Sequence, residues 1–277
     1  MRDPQRFLID SFASELSQTY THVYGEARPE FAAVIADSCR SVLGRVATSD
    51  MLYHNVEHSI LVVSAGQQIL IGKQRRDGNV SPSDWLHFIL ALLCHDVGYV
   101  RGACRGDGEG RFVTGDGGSV TLPHGCTDAA LTPYHVSRSQ VFVLEHFGPA
   151  ITPDCDAERI ASYIEMTRFP PPNAPEYQAT GTYGGLARAA DFIGQFSDPH
   201  YLRKLPALFY EFEQIGANAA HGYTTPGDIR SGFGNFYREV VSPYIEDALG
   251  YLGVTAEGVQ WVATLQSHVR EVEQGTA

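Results

Sequence analysis

The chain has 277 residues, of which 43% are hydrophobic and 19% charged, a composition that can bury a sizeable core and excludes a disordered or fibrous protein. Its 20 basic and 32 acidic side chains give a net charge of −12, which argues against binding to nucleic-acid polymers or anionic membranes. No stretch approaches the roughly 18 consecutive apolar residues of a membrane span, so we expect no membrane partner.

The apolar residues recur mainly with helical spacing. Three helices are predicted from Phe7 to Leu16, from Phe31 to Leu43 and from His58 to Leu70. A fourth, from Trp85 to Cys94, is apolar nearly all round and is therefore expected to be central and buried, with Ser83 or Asp84 as its N-cap and Gly98 as its C-terminal glycine. Further helices are predicted over residues 135–147, 156–166, 183–196, 201–215, 233–252 and 257–272.

The connections between these helices define the expected architecture. Residues 101–133 are polar and glycine-rich, too long for an ordinary connection, and we interpret them as a lid or binding loop. Residues 169–175 are proline-rich and should be extended. Convincing strands, repeats and linkers are absent. We therefore predict one all-α domain over residues 1–277, with a motif core at about 50–200 and a helical C-terminal extension at about 200–277.

The cellular compartment is suggested by the N-terminus and the cysteines. The N-terminal segment lacks the apolar run of about 7 to 15 residues that marks a secretory signal. The five cysteines are odd in number, widely spaced and without a C-x-x-C pair, which argues against a disulfide framework or a zinc knuckle. We expect a cytoplasmic protein with reduced cysteines, and a homo-oligomer remains open.

Histidines and aspartates occur together in short motifs. The segment Y-H-N-V-E-H at 53–58 should place two imidazoles on one face of a helix. His95 and Asp96 end the apolar helix, where burying them is costly unless a cation compensates. Asp191 lies among small and apolar residues, although pairing with Arg188 is an alternative. Two nitrogen and two carboxylate ligands suit Mn, Fe, Zn or, less readily, Mg, and they come from His58, His95, Asp96 and Asp191.

The order H…H-D…D resembles the HD-domain superfamily of metal-dependent phosphohydrolases, and residues 53–58 resemble the Y-H-N-x-x-H motif of class I cyclic-nucleotide phosphodiesterases. The resemblance covers roughly residues 50–200 and implies an all-helical fold with metal held between helices. It also implies that the first-metal ligands are His58, His95, Asp96 and Asp191, that Asp96 bridges to a second divalent ion, and that His54 is the general acid.

The reaction implied by this resemblance is hydrolysis of a phosphoester, most readily a phosphodiester of a small cyclic nucleotide. Two divalent ions sharing Asp96 would lower the pKa of a bridging water and neutralise charge on the phosphoryl oxygens. His54 would protonate the departing oxygen, oriented by Glu57 or another carboxylate. No clamp for a purine is recognisable near the C-terminus, so the nucleotide is implied by the resemblance alone.

The sequence departs from the phosphodiesterase pattern after Asp96, where the histidine of H-D-x-x-H-P-G is missing. The second-metal shell must therefore differ. His135 begins an H-x-x-x-S motif similar to that of some bacterial HD proteins and is a candidate second-metal ligand. Glu165 is another candidate, although an ion pair with Arg168 is the alternative. Candidate cations for a substrate phosphate, which could instead be solvent-exposed, are Arg101, Arg138, Arg168, Arg203 and Lys204.

Two other functions stay open. An HD-type di-iron oxygenase would need His135 and another residue to complete a second iron site. A non-catalytic nucleotide sensor is suggested by the missing downstream histidine. The aromatic-rich stretch 201–212 is interpreted as core packing or a subunit contact rather than a base-stacking platform.

Overall fold

The computed structural model describes residues 3–148 and 154–275, and over these ranges the architecture is all-α, as predicted. The helices are α1 (Pro4–Tyr24), α2 (Glu30–Val46), α3 (Val56–Asp77), α4 (Pro82–Cys94), α5 (His135–His146), α6 (Ala157–Glu165), α7 (Tyr183–Phe196), α8 (Tyr201–Gln214), α9 (Ala217–His221), α10 (Pro226–Phe236), α11 (Ser242–Leu252) and α12 (Ala256–Gly275). Short 3₁₀ turns cover Val97–Tyr99, Asp128–Leu131 and Pro175–Gln178.

Capping residues decide where the site-bearing helices begin. Asn55 accepts hydrogen bonds from the backbone N–H groups of Glu57 and His58, so α3 starts at Val56. His54 therefore precedes the helix instead of lying on it, which corrects the prediction of two imidazoles on one helical face. In α4 the N-cap is Ser81, earlier than predicted, because its hydroxyl forms a capping box with Asp84.

Two predictions about regular structure were wrong. The predicted helix 233–252 is divided by a π-helical turn at Tyr237–Val241 into α10 and α11. The predicted loop 101–133 contains a two-stranded antiparallel hairpin, β1 (Arg111–Val113) and β2 (Ser119–Thr121), in which Arg111 pairs with Thr121. Three-residue strands are too short to produce a recognisable alternation.

The core is built around α3, α4 and α7. Every residue of α4 from Trp85 to Cys94 is buried, as predicted for a central helix. Gly194 on α7 allows the backbones of α7 and α3 to approach closely, since a Cβ there would lie 2.6 Å from the Cα of Val62. Helices α11 and α12 pack against both α3 and α7. Within the described ranges, no helix combines the length and apolarity needed to cross a bilayer.

The base of the 101–133 segment is held to α5 by a buried arginine. Arg138 is fully buried and donates five hydrogen bonds, to the carbonyl oxygens of Gly98, Val100 and Val113 and to both carboxylate oxygens of Asp107. A buried, bidentate arginine of this kind fixes its partners geometrically. The segment is therefore anchored at its base, and its role as a lid remains a prediction.

Gly98 brings the Val97–Tyr99 turn against α5. It is not the C-terminal glycine of α4 predicted from the sequence, because α4 is capped by His95 and Gly98 lies in the following 3₁₀ turn. A Cβ there would lie 2.0 Å from the carbonyl oxygen of His135 and 2.7 Å from the backbone nitrogen of Ser139. The Ser139 hydroxyl accepts from Gly98 N and donates to the carbonyl oxygen of His95. This contact joins the H-D turn to the first turns of α5.

We expect Gly98→Ala to destabilise the protein by about 3 kcal/mol, because two backbone segments would have to separate to admit one methyl group. Urea unfolding measures the change. Gly44→Ala is the matched control, since no atom lies within 4 Å of a Cβ at this position in α2 and the helix should gain up to about 1 kcal/mol. Equal unfolding midpoints for both variants would contradict the close approach.

Candidate metal-binding site

Four of the predicted residues lie together where α3, α4 and α7 meet. His58 is in the first turn of α3, His95 and Asp96 follow α4, and Asp191 is in the middle of α7. The Nε2 atom of His58 lies 3.3 Å from Asp96 Oδ2 and 3.5 Å from Asp191 Oδ1. The Nε2 atom of His95 lies 3.2 Å from Asp96 Oδ2 and 3.7 Å from Asp191 Oδ1. We call these four residues the His–Asp cluster.

The cluster contains buried polar atoms that lack hydrogen-bond partners. Within the described part of the chain, His58 Nε2, His95 Nε2 and Asp96 Oδ2 are buried and unsatisfied. His95 Nδ1 lies 2.7 Å from the Leu92 carbonyl oxygen, an arrangement that makes Nδ1 the donor and leaves the Nε2 lone pair facing the carboxylates. Ligand atoms of His58, His95 and Asp191 lie within 4.8 Å of one another. This donor set fits a divalent cation.

The electrostatics of the cluster are those of tightly paired charges. Burial lowers the pKa of His58 and His95, but the carboxylates of Asp96 and Asp191 outweigh it and raise both pKa values to about 9. Burial opposes ionisation of Asp96, yet the two imidazoles hold its pKa well below the usual range. Without a metal, protons on the imidazoles therefore balance the buried carboxylates.

His54 is held beside the cluster by a carboxylate from α8. Its ring centroid is 5.2 Å from that of His58, and its Nδ1 lies 2.6 Å from Glu211 Oε2. The other oxygen of Glu211 accepts from the backbone N–H groups of Tyr53 and His54, at 2.6 and 3.2 Å. Burial lowers the pKa of His54, but Glu211 outweighs it, so the pKa is raised. The ring is thus stabilised as an imidazolium, and its Nε2 makes no hydrogen bond to the part of the chain that the structure describes.

Glu211 is the functional candidate that the sequence analysis missed. It lies within the stretch 201–212 interpreted as packing, and it is only 3% exposed. Glu57, the carboxylate named for orienting His54, has a side chain that is 53% exposed and pairs with Lys204. The available signal was a carboxylate on the apolar face of an aromatic-rich helix, but its partner could not be identified without the three-dimensional position of α8.

His135 lies near the other carboxylate oxygen of Asp96, the one that does not face His58 and His95. Its Nε2 is 4.0 Å from Asp96 Oδ1, and its Nδ1 lies 2.6 Å from the Thr132 carbonyl oxygen. The His135 ring stacks on Tyr99 with centroids 4.3 Å apart, and Tyr99 also faces His54 at 5.1 Å. Burial lowers the pKa of His135. A neutral imidazole in this position can share Asp96 with the cluster, as the predicted second-metal role requires.

Glu165 does not join the cluster, and its predicted role as a second-metal ligand is corrected here. Its carboxylate accepts from Arg168 Nε at 2.6 Å, from Arg168 Nη2 at 2.8 Å and from the Tyr177 hydroxyl at 2.7 Å. The alternative ion pair is therefore the arrangement observed. For Asp191 the alternative pairing with Arg188 is not observed, because its carboxylate lies beside His58 and His95.

Four of the five predicted phosphate-binding cations lie in ion pairs. Each of four is neutralised by at least one carboxylate: Arg101 by Asp128, Arg138 by Asp107, Arg168 by Glu165, and Lys204 by Asp198 and Glu57. Arg138 has no donor left for a substrate. Arg203 is exposed on α8. The predicted phosphate-binding role is therefore wrong for Arg138, and for the other four side chains it stays a prediction.

The raised pKa values predict how stability depends on pH in the presence of a chelator. The stabilisation from His58 and His95 is fully present below their unfolded pKa of 6.5 and is lost as the pH rises through about 9. We expect the urea midpoint to fall over this range, and to fall less in Asp191→Asn, which lacks one of the carboxylates that raise both values. A midpoint that rises, or equal falls in both proteins, would contradict the proton-balanced cluster.

The sequence comparisons define the family. A model of the Npun_R2479-like family matches residues 2–275. No curated protein and no solved structure matches the chain. Because the matched region covers nearly the whole length, the chain belongs to the Npun_R2479-like family.

Proposed function

We propose that the His–Asp cluster binds a divalent cation and that the protein is a metal-dependent phosphohydrolase that cleaves a phosphodiester. One observation carries the proposal. Three buried, unsatisfied ligand atoms, on His58, His95 and Asp96, face one another and the Asp191 carboxylate. These atoms lie in ion pairs but make no hydrogen bond, and a bound cation would satisfy the nitrogen and carboxylate atoms together. The resemblance to HD-domain phosphohydrolases supports the same conclusion.

The ligands available determine how many ions the site would hold. His58, His95, Asp96 and Asp191 would hold the first ion, and Asp96 and His135 are placed to contribute to a second. Mn, Fe, Zn and Mg all suit a mixed nitrogen and carboxylate set, Mg least readily. Bound cations would supply Lewis acidity toward the phosphoryl group and toward water.

The pair of His54 and Glu211 supports a hydrolytic reaction. In hydrolysis, a water oxygen forms the new bond to phosphorus and releases a proton to solvent, while the bond to the leaving oxygen breaks and that oxygen takes up a proton. The His54 imidazolium can donate this proton from Nε2, because Glu211 holds Nδ1 and stabilises the charged form. Deprotonated His54 then recovers a proton from solvent, since its side chain remains 18% exposed.

The charges around the cluster favour a substrate with little negative charge. The four predicted phosphate-binding cations that lie in ion pairs are already neutralised, and the chain as a whole has a charge of −12. Exposed apolar side chains lie close by in the chain: Leu52 precedes His54, and Phe169 packs against Phe192, the neighbour of Asp191. A singly charged diester with an apolar or aromatic group, such as a small cyclic nucleotide, suits these surroundings better than a polyphosphate.

The proposal is tested by metal content and by hydrolysis of bis(p-nitrophenyl) phosphate. We expect the wild type, purified without chelator and supplied with Mn, to hold stoichiometric metal and to hydrolyse the diester. Asp96→Asn should lose both, with activity at least about 100-fold lower, since even changes to groups that only orient metal ligands cost about 10- to 100-fold. Asp37→Asn, at an exposed carboxylate in α2, is the control.

Three outcomes would contradict parts of this proposal. Wild-type protein without stoichiometric metal would exclude a metal site. Iron-dependent oxygen uptake with an organic substrate, without diester hydrolysis, would favour the di-iron oxygenase. Tight nucleotide binding with no product after long incubation would favour the sensor.

The role of Glu211 is tested by changing the leaving group. We expect Glu211→Gln to lower hydrolysis of a 3′,5′-cyclic nucleotide by about 100-fold, because its alkoxide leaving group needs a proton. Hydrolysis of bis(p-nitrophenyl) phosphate should change only a few-fold, since p-nitrophenolate leaves without one. Glu57→Gln is the matched control and should leave both rates unchanged. Equal losses with both substrates would assign Glu211 to folding or metal binding instead.

A further inference from the structure

Among the buried polar groups without sufficient partners outside the His–Asp cluster, one carries a full charge and lies in no ion pair with a described residue: the guanidinium of Arg188 on α7. The residue is only 1% exposed. Its Nη2 donates to the carbonyl oxygen of Tyr177 at 2.7 Å, and its guanidinium carbon lies 4.0 Å from the ring centroid of Tyr244. Its Nε and Nη1 atoms are buried and have no hydrogen-bond partner among the described residues. None of the ion pairs found in residues 3–148 and 154–275 includes Arg188.

This arrangement is energetically incomplete. A guanidinium remains charged in proteins and cannot relieve its burial by losing a proton. Burial lowers the pKa of Arg188, and the facing Tyr244 offsets this only in part. An aromatic face attracts the positive charge, but it does not accept the in-plane N–H groups. Two buried donors and one uncompensated charge therefore remain.

Arg138 provides an internal comparison. It is as deeply buried as Arg188, yet all of its nitrogens donate hydrogen bonds, and Asp107 balances its charge. The fold thus satisfies an arginine completely where that arginine has a structural role. Arg188 has one carbonyl acceptor, on Tyr177, and among the described residues it has no equivalent of Asp107. A buried polar group left in this state needs an explanation, and a ligand that supplies the missing charge and acceptors is one that fits a guanidinium.

The covering of Arg188 suggests how a ligand reaches it. The Tyr177 carbonyl belongs to the 3₁₀ turn Pro175–Gln178, in which no residue is buried. That turn lies in the proline-rich connection between α6 and α7, which we call the 170–182 segment. Because the Tyr177 carbonyl oxygen accepts from Arg188, a ligand that approaches from this side requires the segment to move.

We propose that Arg188 is the cationic centre of an oxyanion-binding site beneath the 170–182 segment, distinct from the His–Asp cluster. The ligand chemistry is a small oxyanion group, a phosphate or a carboxylate, because these supply both a negative charge and several acceptors to a guanidinium. The inference rests on the contacts of Arg188 alone and is independent of the proposed phosphodiesterase activity.

Thermal unfolding of the full chain with inorganic phosphate tests the site. The measurements are made at constant ionic strength and with a chelator present, so that phosphate cannot act through a metal. We expect the wild-type Tm to rise by about 5 °C at phosphate concentrations near 100 times Kd, because the anion binds only the folded state. Acetate in place of phosphate distinguishes a carboxylate ligand from a phosphate ligand.

The variants make the result specific to Arg188. Arg188→Gln should abolish the anion-dependent rise, whereas Arg203→Gln, at an exposed arginine of α8, should retain it. No rise in the wild type with either anion, or equal rises in the wild type and Arg188→Gln, would overturn the proposal.

Amide hydrogen exchange of the wild type is a second test of the site, and it does not require the Arg188→Gln variant to fold. The anion that raises Tm should change amide exchange in residues 170–188, where the covering segment must rearrange. Unchanged exchange in this region, together with a Tm rise, would locate the anion elsewhere and would overturn the proposal.

Discussion

The central constraint on this molecule is the burial of two imidazoles and a carboxylate at the junction of α3, α4 and α7, where Asp191 completes the His–Asp cluster. Charged groups are rarely stable in such a place unless each has an opposite charge within a few ångströms. His58 and His95 both lie between the Asp96 and Asp191 carboxylates, at 3.2 to 3.7 Å. Small changes in helix position would therefore separate charges inside the core, so the packing around this junction must be tight.

The packing meets this requirement through backbone contacts. Gly194 allows α7 to lie directly on α3, which sets the distance between Asp191 and His58. Gly98 allows the turn after Asp96 to lie directly on α5, and the Ser139 hydroxyl ties that turn to the His95 carbonyl oxygen. The backbone of the H-D motif is thus held against α5, and the side chains of His95 and Asp96 are held by the ion pairs of the His–Asp cluster. This leaves little freedom in the position of the metal-ligand candidates.

The site residues that could be predicted from the sequence were the ionisable ones that lie in apolar stretches. Burying an ionisable group is costly unless an opposite charge compensates it. The sequence therefore indicated a site at His95 and Asp96, which end an apolar helix, and at Asp191, which lies among small residues. For charged residues in polar stretches, the sequence does not indicate whether they are buried or which residues they pair with. Arg101, Arg138, Arg168 and Lys204 were all interpreted as candidate phosphate ligands, yet their carboxylate partners depend on which segments the fold brings together, and periodicity does not contain that information.

Glu211 shows how the C-terminal helices enter the chemistry. The motif core at about 50–200 contains the cluster and His54, but the carboxylate that holds His54 comes from α8, beyond that core. The same carboxylate binds the backbone of Tyr53 and His54 and so fixes the segment that leads into α3. Position and protonation of the candidate acid are therefore set by one buried side chain outside the motifs. Since the H…H-D…D motif leaves Glu211 unspecified, a chain can keep every motif residue and still lack the carboxylate that positions His54 and raises its pKa.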